Sequence, residues 1–391
     1  MEWEIFSEKI IGYSAEIEAG KLKILKKVVD KAYAVRVIEN GRVGFSAGRD
    51  LEKTIESAKK VAKISEEVLK EFPVEKAAKV EGLYDARFEN ISSDYIKEGY
   101  EIVTSSIEKA KIANAVIAHE IVEVELRNSS GAELTEKGTF SFFSVETVFD
   151  EGSGFAQTQS RKIELDIEKT VAYAEELALK SAKAEKIDLG YYDLVLMPQA
   201  IHQLFSHTLY PSLSAENVAR GRSRLHIGAD LGNIRILDDP TLPYGFASYS
   251  FDDEGVMARR KVLVDGKVLS FYSDLKNAEK FGLTGNGLRI SIDSPPAPMP
   301  SNLIIEVQER VDKSKALIIH NFLGAHTANF VSGDFSVENL NAEFEEKAIK
   351  GAMIYGNIFE LLSKIQGYCS EKIQIENTLT PAIRFRSVKI I

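Results

Sequence analysis

Residues 32–48 read AYAVRVIENGRVGFSAG, two alternating runs on either side of the dipeptide Asn40-Gly41. Apolar residues occupy every second position from Tyr33 to Val37, and the alternation resumes from Val43 to Phe45. A period of two is typical of a β-strand with one buried face. Asn-Gly favours a two-residue turn, because both residues tolerate positive φ. The stretch therefore predicts a tight β-hairpin.

The rest of the N-terminal half predicts further strands and helices. Residues 115–127 alternate apolar and charged side chains, and the turn-forming residues 128–131, Asn-Ser-Ser-Gly, follow them. Asp50 is a helix-capping residue type, and the apolar positions after it recur at helical spacing. These patterns predict helices over 51–69, 92–113 and 166–183, a connector over 74–91, and strands over 115–127 and 139–149.

The pattern changes after a polar, charged segment at 184–190, which is the best position for a domain boundary. Residues 191–197 form a short apolar strand, and Pro198 suits the first turn of a helix. From Leu225 onward, short apolar runs alternate with Gly, Pro and Asp. One example runs from 261–264 through a turn at Asp265-Gly266 into a second strand over 268–271. An antiparallel, barrel-like or sandwich-like sheet is predicted.

The predicted fold class is α+β. An N-terminal α+β domain over 1–186, with a sub-boundary near 74–91, precedes a larger β-rich, barrel-like C-terminal domain over 187–391. A chain of 391 residues is long enough for two or three domains with sizeable cores.

The charge balance argues against nucleic acid or an anionic membrane as a partner. The chain has 59 acidic and 49 basic side chains, a net charge of −10. The densest basic stretch, residues 21–31, interleaves lysines with Leu, Ile and Val, which we interpret as the solvated face of an amphipathic helix.

Cysteine content and the N-terminal segment predict a cytoplasmic protein. Cys369 is the only cysteine, so no internal disulfide can form, as is usual in a reducing compartment. The acidic start MEWEIFSEKI lacks the layout of a signal peptide, and no apolar run approaches the roughly 18 residues of a membrane span.

Residues 200–209 read AIHQLFSHTL and place two histidines five positions apart, His202 and His207. A helical metalloprotease motif uses two imidazoles as metal ligands. A carboxylate next to the first imidazole accepts a proton from the metal-bound water. Gln203 occupies that carboxylate's position, and a primary amide does not ionise near neutral pH. The segment is similar to a metalloprotease motif that lacks its general base.

Helical geometry leaves two interpretations of the histidines open. At about 100° per residue, His202 and His207 point roughly 140° apart, so a regular helix cannot bring both to one metal ion. A one-residue π-type bulge would narrow that angle and allow zinc binding. Without the bulge, both histidines make ordinary hydrogen bonds on the flanks of an apolar stripe.

Five ordered blocks of the chain resemble the TldD/PmbA family, whose PmbA branch is also called TldE. The blocks are AYAVRVIENGRVGFSAG at 32–48, LDDP at 237–240, FDDEGV at 251–256, LVDGKVLSFYSD with NAEKFGLTGNGLR over 263–289, and VSGDFS at 331–336. The resemblance covers nearly the whole chain. It implies the layout given above, with the metal site of catalytic members in the C-terminal domain.

The resemblance also implies roles for the histidine segment. The catalytic TldD branch carries His-Glu-x-x-x-His, which would place His202 and His207 on the ligands and Gln203 on the glutamate. LFSH at 204–207 is similar to a stretch often kept in the TldE branch, which usually lacks an intact motif. In catalytic members the third ligand is a cysteine near the C-terminus. Cys369 is the one candidate here, although its spacing to 381–391 does not match, and we expect it to pack as a small apolar side chain.

Three other groups have weaker claims to chemistry. His119-Glu120 lies on an alternating strand, which points the two side chains to opposite faces. The acidic run Asp252, Asp253 and Glu254 lacks the spacing of a calcium loop, so we expect it to cap a helix, anchor a turn or shape a groove. The glycine-bearing and serine-bearing stretches lack the context of a phosphate-binding loop or a nucleophile elbow.

The sequence thus predicts a TldE-like, non-catalytic subunit of a cytoplasmic zinc metalloprotease acting on small or unfolded peptides. By resemblance, its partner is a TldD-like catalytic subunit that holds the zinc, with a homodimer as the alternative; this chain itself is expected to hold no cofactor. Two other hypotheses stay open. One is a self-sufficient metallopeptidase using His202 and His207 with another acid, such as Glu216, as base. The other is a regulatory module that binds peptides at a sheet edge.

Overall fold

The computed structural model describes all 391 residues, and its N-terminal part is built on one antiparallel sheet. The six strands are β1 (Glu2–Glu18), β2 (Lys21–Glu39), β3 (Arg42–Gly48), β4 (Lys111–Asn128), β5 (Glu133–Phe149) and β6 (Gly152–Ser160). They lie in the order β3-β2-β1-β4-β5-β6. Short turns join the consecutive strands except β3 and β4, whose connection contains two α-helices. Strand β1 pairs with β2 and β4 along most of its length.

The hairpin over 32–48 is confirmed, since β2 and β3 pair from Tyr33 to Glu39. Asn40 and Gly41 have φ of 53° and 78°, as the two-residue turn requires. The helix predicted over 21–31 is wrong, because these residues form the first half of β2. Their apolar spacing fits a helix locally, but β1 lies alongside and supplies the backbone hydrogen bonds of a strand.

Three helices cover the face of the sheet that carries the odd-numbered residues of β1 and β4. They are α1 (Leu51–Ala62), α2 (Ser93–Ser105) and α3 (Ile167–Ser181). The core beneath α2 and α3 includes Ile117, Phe143 and Val171. Asp50 caps α1 as expected, accepting a hydrogen bond from the Lys53 N–H. Helices α1 and α2 end earlier than the predicted positions 69 and 113. The connector over 74–91 contains only a 3-10 helix (Ala86–Asn90).

The C-terminal part is mainly β structure with short helices. Its strands are β7 (Glu185–Lys186), β8 (Gly190–Leu196), β9 (Asp230–Asp238), β10 (Lys261–Val268), β11 (Gly287–Leu288), β12 (Ala297–Pro298), β13 (Leu303–Glu306), β14 (Leu317–Leu323), β15 (Asp334–Phe344), β16 (Lys347–Lys350), β17 (Met353–Asn357), β18 (Ile365–Tyr368), β19 (Ile373–Ile375), β20 (Thr378–Thr380) and β21 (Ile383–Ile390). The helices are α4 (Pro198–Ser206), α5 (Leu209–Ser212), α6 (Ala215–Ala219), α7 (Leu275–Phe281) and α8 (Ile358–Leu362), with a 3-10 helix at Ala325–Thr327.

Five of these strands close into a barrel. They follow the order β14-β8-β21-β17-β15, and β14 pairs with β15 to complete the ring. A second sheet, β10-β9-β13-β20-β19, packs with the barrel around a core of 39 buried residues. The α+β class with a barrel-like C-terminal part is therefore confirmed.

The turn predicted at Asp265-Gly266 is a bulge instead. Strand β10 continues through both residues and still pairs with β9 beyond them, at Lys267. The register shifts between Asp265 and Lys267, and Gly266 has φ of 66°. A glycine at positive φ therefore kinks the strand here without reversing it.

Buried charges join the N-terminal sheet to the C-terminal part. Arg36 on β2 donates two hydrogen bonds to Glu4, of 2.8 and 3.0 Å, and one of 2.7 Å to Glu254. At the predicted boundary, β7 pairs with β16 and already belongs to the C-terminal sheet. The division at residues 186 and 187 stays a prediction. Among the helices, none has the length and apolar character that crossing a membrane demands.

Candidate functional site

Helix α4 carries the histidine segment and lies between the barrel and strand β19. Pro198 occupies its first turn, as predicted, where the missing N–H costs no helical hydrogen bond. Ile201, Leu204 and Phe205 are fully buried and pack into the large core of the C-terminal part. This apolar stripe fixes the rotation of the helix and leaves His202 and His207 on its flanks.

His202 is held by two groups from the β19–β20 hairpin. Its Nδ1 and the Thr378 Oγ1 share a hydrogen bond of 2.9 Å, and its Nε2 lies 3.5 Å from a Glu376 carboxylate oxygen. The contact with the His202 imidazole keeps the pKa of Glu376 below its ordinary value, although burial acts in the opposite direction. Gln157 on β6 donates a hydrogen bond of 3.3 Å to the other oxygen of Glu376.

Gln203 is a structural tether. Its Oε1 accepts a hydrogen bond of 2.8 Å from the Phe322 N–H on β14. That N–H is available because the pairing of β14 with β15 slips in register between Asn321 and Phe322. The amide at the general-base position therefore connects α4 to the barrel.

His207 lies just past the end of α4. The helix is a regular α-helix over Pro198–Ser206, and His207 is its C-cap, exposed to solvent. Partial desolvation lowers the pKa of His207, and the nearby His326 and His202 lower it further. The π-type bulge that would bring His207 toward His202 does not occur here.

The two histidines border one cleft of about 570 Å³. Strand β6 forms one wall through Phe155 and Gln157, and α4 forms another. The remaining lining is mostly polar and includes Tyr210, Glu376 and Asn377. Such a cleft offers hydrogen-bond donors and acceptors to a peptide backbone, with one carboxylate and two imidazoles for charged groups.

The residues of this chain do not fit a zinc site. Tetrahedral zinc needs at least three protein ligands, and no group of three or more His, Cys, Asp or Glu side chains is arranged to hold a metal ion. Cys369 packs beside Val195, Ala316 and Ala382, and its sulfur lies 3.7 Å from the Asp312 carbonyl oxygen.

The other candidates also have structural roles. Glu216, considered as a base, pairs with Arg220 at 2.7 Å and does not line the cleft. His119 is buried beneath Phe88 and Tyr95 and hydrogen-bonds Ser141.

The acidic run closes a turn and caps a helix, as expected. Asp252 accepts hydrogen bonds from the N–H groups of Glu254, Val256 and Gly287. Glu254 accepts one from the Leu275 N–H at the start of α7, in addition to its bond with Arg36. These carboxylates therefore stabilise the fold by accepting internal hydrogen bonds.

Sequence reasoning missed the partners of His202. Thr378 lies 176 residues further along the chain, and Glu376 sits in the tight turn between β19 and β20 with φ of 49°. Alternation of the residues around Glu376-Asn377 was a usable signal for a hairpin. Nothing in that signal indicated that the turn packs against α4.

The fold and the site define a class: a barrel domain whose helix carries a His-Gln-x-x-x-His segment beside a cleft, preceded by a helix-covered sheet. Residues 189–391 match the PmbA/TldA metallopeptidase C-terminal domain, and residues 3–65 match domain 1 of the same proteins. The chain belongs to the TldD/PmbA family.

Relatives cover almost the full length of the chain. An uncharacterised protein of Methanocaldococcus jannaschii is 30% identical over 381 residues, covering 93% of this chain and 90% of that protein. A metalloprotease of Methanothermobacter thermautotrophicus is 24% identical over 397 residues, covering 90% and 84%. The structure of TldE from Thermococcus kodakarensis has the same fold, with a TM-score of 0.87, 23% identity, and coverage of 100% and 96%.

Proposed function

We propose that this chain is a TldE-like, non-catalytic subunit of a cytoplasmic TldD/TldE-type zinc metallopeptidase that acts on small or unfolded peptides. One observation carries the proposal: the residue at the general-base position is an amide, and Phe322 donates its N–H to that amide. A glutamine used in this way accepts no proton from water. Family membership and the absence of a three-ligand set support the same conclusion.

The catalytic zinc then belongs to a TldD-like partner. Zinc held there would supply the Lewis acid for peptide hydrolysis. The cleft beside α4 contributes polar groups that hold a peptide chain: Gln157, Tyr210 and Asn377 can donate or accept hydrogen bonds without ionising near neutral pH. Glu376 and His202 add a carboxylate and an imidazole to the lining, with the His202 Nε2 3.5 Å from a Glu376 oxygen. In this proposal the chain binds and positions a peptide and leaves its hydrolysis to the partner.

Metal content and peptidase activity of three samples test the proposal: this chain alone, a TldD-like chain from the same source, and the two mixed. We expect little zinc and no cleavage from this chain alone, and zinc-dependent cleavage from the mixture. His202→Ala in this chain is the matched control, and it should leave the zinc content of the mixture unchanged. Stoichiometric zinc and chelator-sensitive cleavage by this chain alone would establish the self-sufficient metallopeptidase instead.

Association with the partner is tested separately. A stable subunit pair should bury about 2,000 Å² or more, so the mixture should elute as a dimer in size-exclusion chromatography at micromolar concentration. A chain that stays monomeric in every mixture and still binds peptides would support the regulatory-module hypothesis.

A further inference from the structure

Half of strand β2 is an open sheet edge. Strand β2 pairs with β1 from Lys21 to Ile38, but β3 covers its other side only from Tyr33 to Glu39. Residues 21–32 therefore have no strand on their outer side. At about 3.3 Å per residue, this edge is roughly 40 Å long.

The outward backbone groups of this edge can be assigned from the neighbouring hairpin. The Gly41 carbonyl accepts a hydrogen bond from the Leu69 N–H, and the Val43 N–H donates one to the Glu67 carbonyl, both on the side of β3 away from β2. The backbone N–H and C=O of Arg42, between them, therefore point toward β2. The backbone groups of Glu39, which pairs with Arg42, then point toward β3. Backbone groups of the other odd-numbered residues of β2 point in the same direction. The N–H and C=O groups of Leu25, Lys27, Val29 and Lys31 are therefore directed outward.

The side chains along the edge are mainly basic and apolar. Five lysines are exposed, at positions 21, 23, 26, 27 and 31. Ile24 and Val29 lie among them, with exposed fractions of 44% and 63%. Asp30 is the one acidic residue of the segment, and Arg49 neutralises it through two hydrogen bonds. The edge is thus strongly positive on a chain whose net charge is −10.

Lysines alone often protect a sheet edge from pairing. This edge differs because it contains no proline and because its one bulge lies near the hairpin tip, opposite Glu16 and Ile17, so residues 24–32 run without interruption. A second copy of the chain is a poor occupant, since edge-to-edge pairing would set lysine against lysine. An acidic strand would instead lie beside the five lysines.

We propose that residues 21–32 bind an acidic, extended segment of another polypeptide, which adds to the six-stranded sheet as a seventh strand beside β2. Backbone hydrogen bonds to Leu25, Lys27, Val29 and Lys31 would hold the segment, and lysine–carboxylate pairs would select it. This surface is separate from the cleft beside α4, and the proposal does not depend on the proposed subunit role.

The test is a binding titration, by fluorescence anisotropy, with a fluorescein-labelled ten-residue peptide of alternating glutamate and threonine. A second peptide has the same sequence but is N-methylated at alternate residues, which keeps the charge and removes the donors of one edge. We expect the first peptide to bind at least about tenfold more tightly than the second, because several backbone hydrogen bonds are lost.

Three variants separate the contributions of backbone and charge. Val29→Pro removes one outward N–H and leaves the ladder to β1 intact, so affinity should fall about fivefold or more. Val29→Thr keeps the N–H and should change affinity less than about twofold, which makes it the matched control. Lys27→Glu combined with Lys31→Glu should reduce affinity by about tenfold and leave the fold unchanged by circular dichroism.

Three results would overturn the proposal. Equal binding of the two peptides would mean that charge alone acts and no strand is added. Tighter binding of a single-stranded oligonucleotide of matched charge would identify a general polyanion surface. Dissociation of a wild-type dimer by Val29→Pro, seen in sedimentation, would assign the edge to a second copy of this chain.

Discussion

Replacing Gln203 tests both what this residue does and what it cannot do. Its Oε1 accepts the Phe322 N–H at 2.8 Å, and Phe322 is only 5% exposed. Gln203→Leu removes the acceptor and leaves a buried N–H unpaired, which costs about 1–3 kcal/mol. Gln203→Glu retains an acceptor of similar reach, so we expect a change within about 0.5 kcal/mol.

Denaturant unfolding measures the change in global stability, provided that the dependence of the unfolding free energy on denaturant concentration is unchanged. Hydrogen exchange of the β14 amides measures the local change. In Gln203→Leu the Phe322 amide should exchange faster by roughly five- to a hundredfold, in line with the lost free energy. Neither variant should gain zinc or peptidase activity, because a base without a held metal has no activated water to deprotonate.

Two outcomes would refute this reasoning. If Gln203→Leu matches the parent in stability and in Phe322 exchange, the amide is not a tether. If Gln203→Glu cleaves peptides in a zinc-dependent way and the parent does not, the histidines retain metal-binding geometry and the chain is one residue short of an active enzyme.

Three further predictions concern buried ionisable side chains. Arg36→Met should destabilise the protein by about 3–5 kcal/mol in denaturant unfolding, because Glu4 and Glu254 lose their partner; a cost below about 1 kcal/mol would contradict this. Burial raises the pKa of Asp253 to about 7, so the folded state binds a proton there that the unfolded state has lost. Its contribution to stability should fall as the pH rises from about 4 to 7, and Asp253→Asn should flatten that slope in unfolding midpoints. Burial lowers the pKa of His119 to about 4, so its contribution should fall as the pH drops from about 6.5 to 4; an unchanged acid slope in His119→Asn would disprove the assignment.

Patterns that depend on neighbouring residues predicted much of the fold. The Asn40-Gly41 hairpin, the Asp50 cap and the strand over 115–127 all follow from turn chemistry, capping or alternation, and each is confirmed. The wrong prediction of a helix over 21–31 arises because a distant part of the chain, not the local pattern, decides the structure there. The segment's apolar positions are compatible with a helix, and the long β1 beside it decides in favour of a strand.

The candidate site divides in the same way. The sequence by itself determined that an amide stands where a base is needed, because the chemistry of Gln203 does not depend on its surroundings. Only the tertiary structure decided that Gln203 is tied to Phe322 and that Glu376 and Thr378 hold His202. These contacts join residues more than a hundred positions apart, and packing of α4 against the barrel and the second sheet creates them. A local sequence pattern does not indicate which distant turn or strand will pack against it.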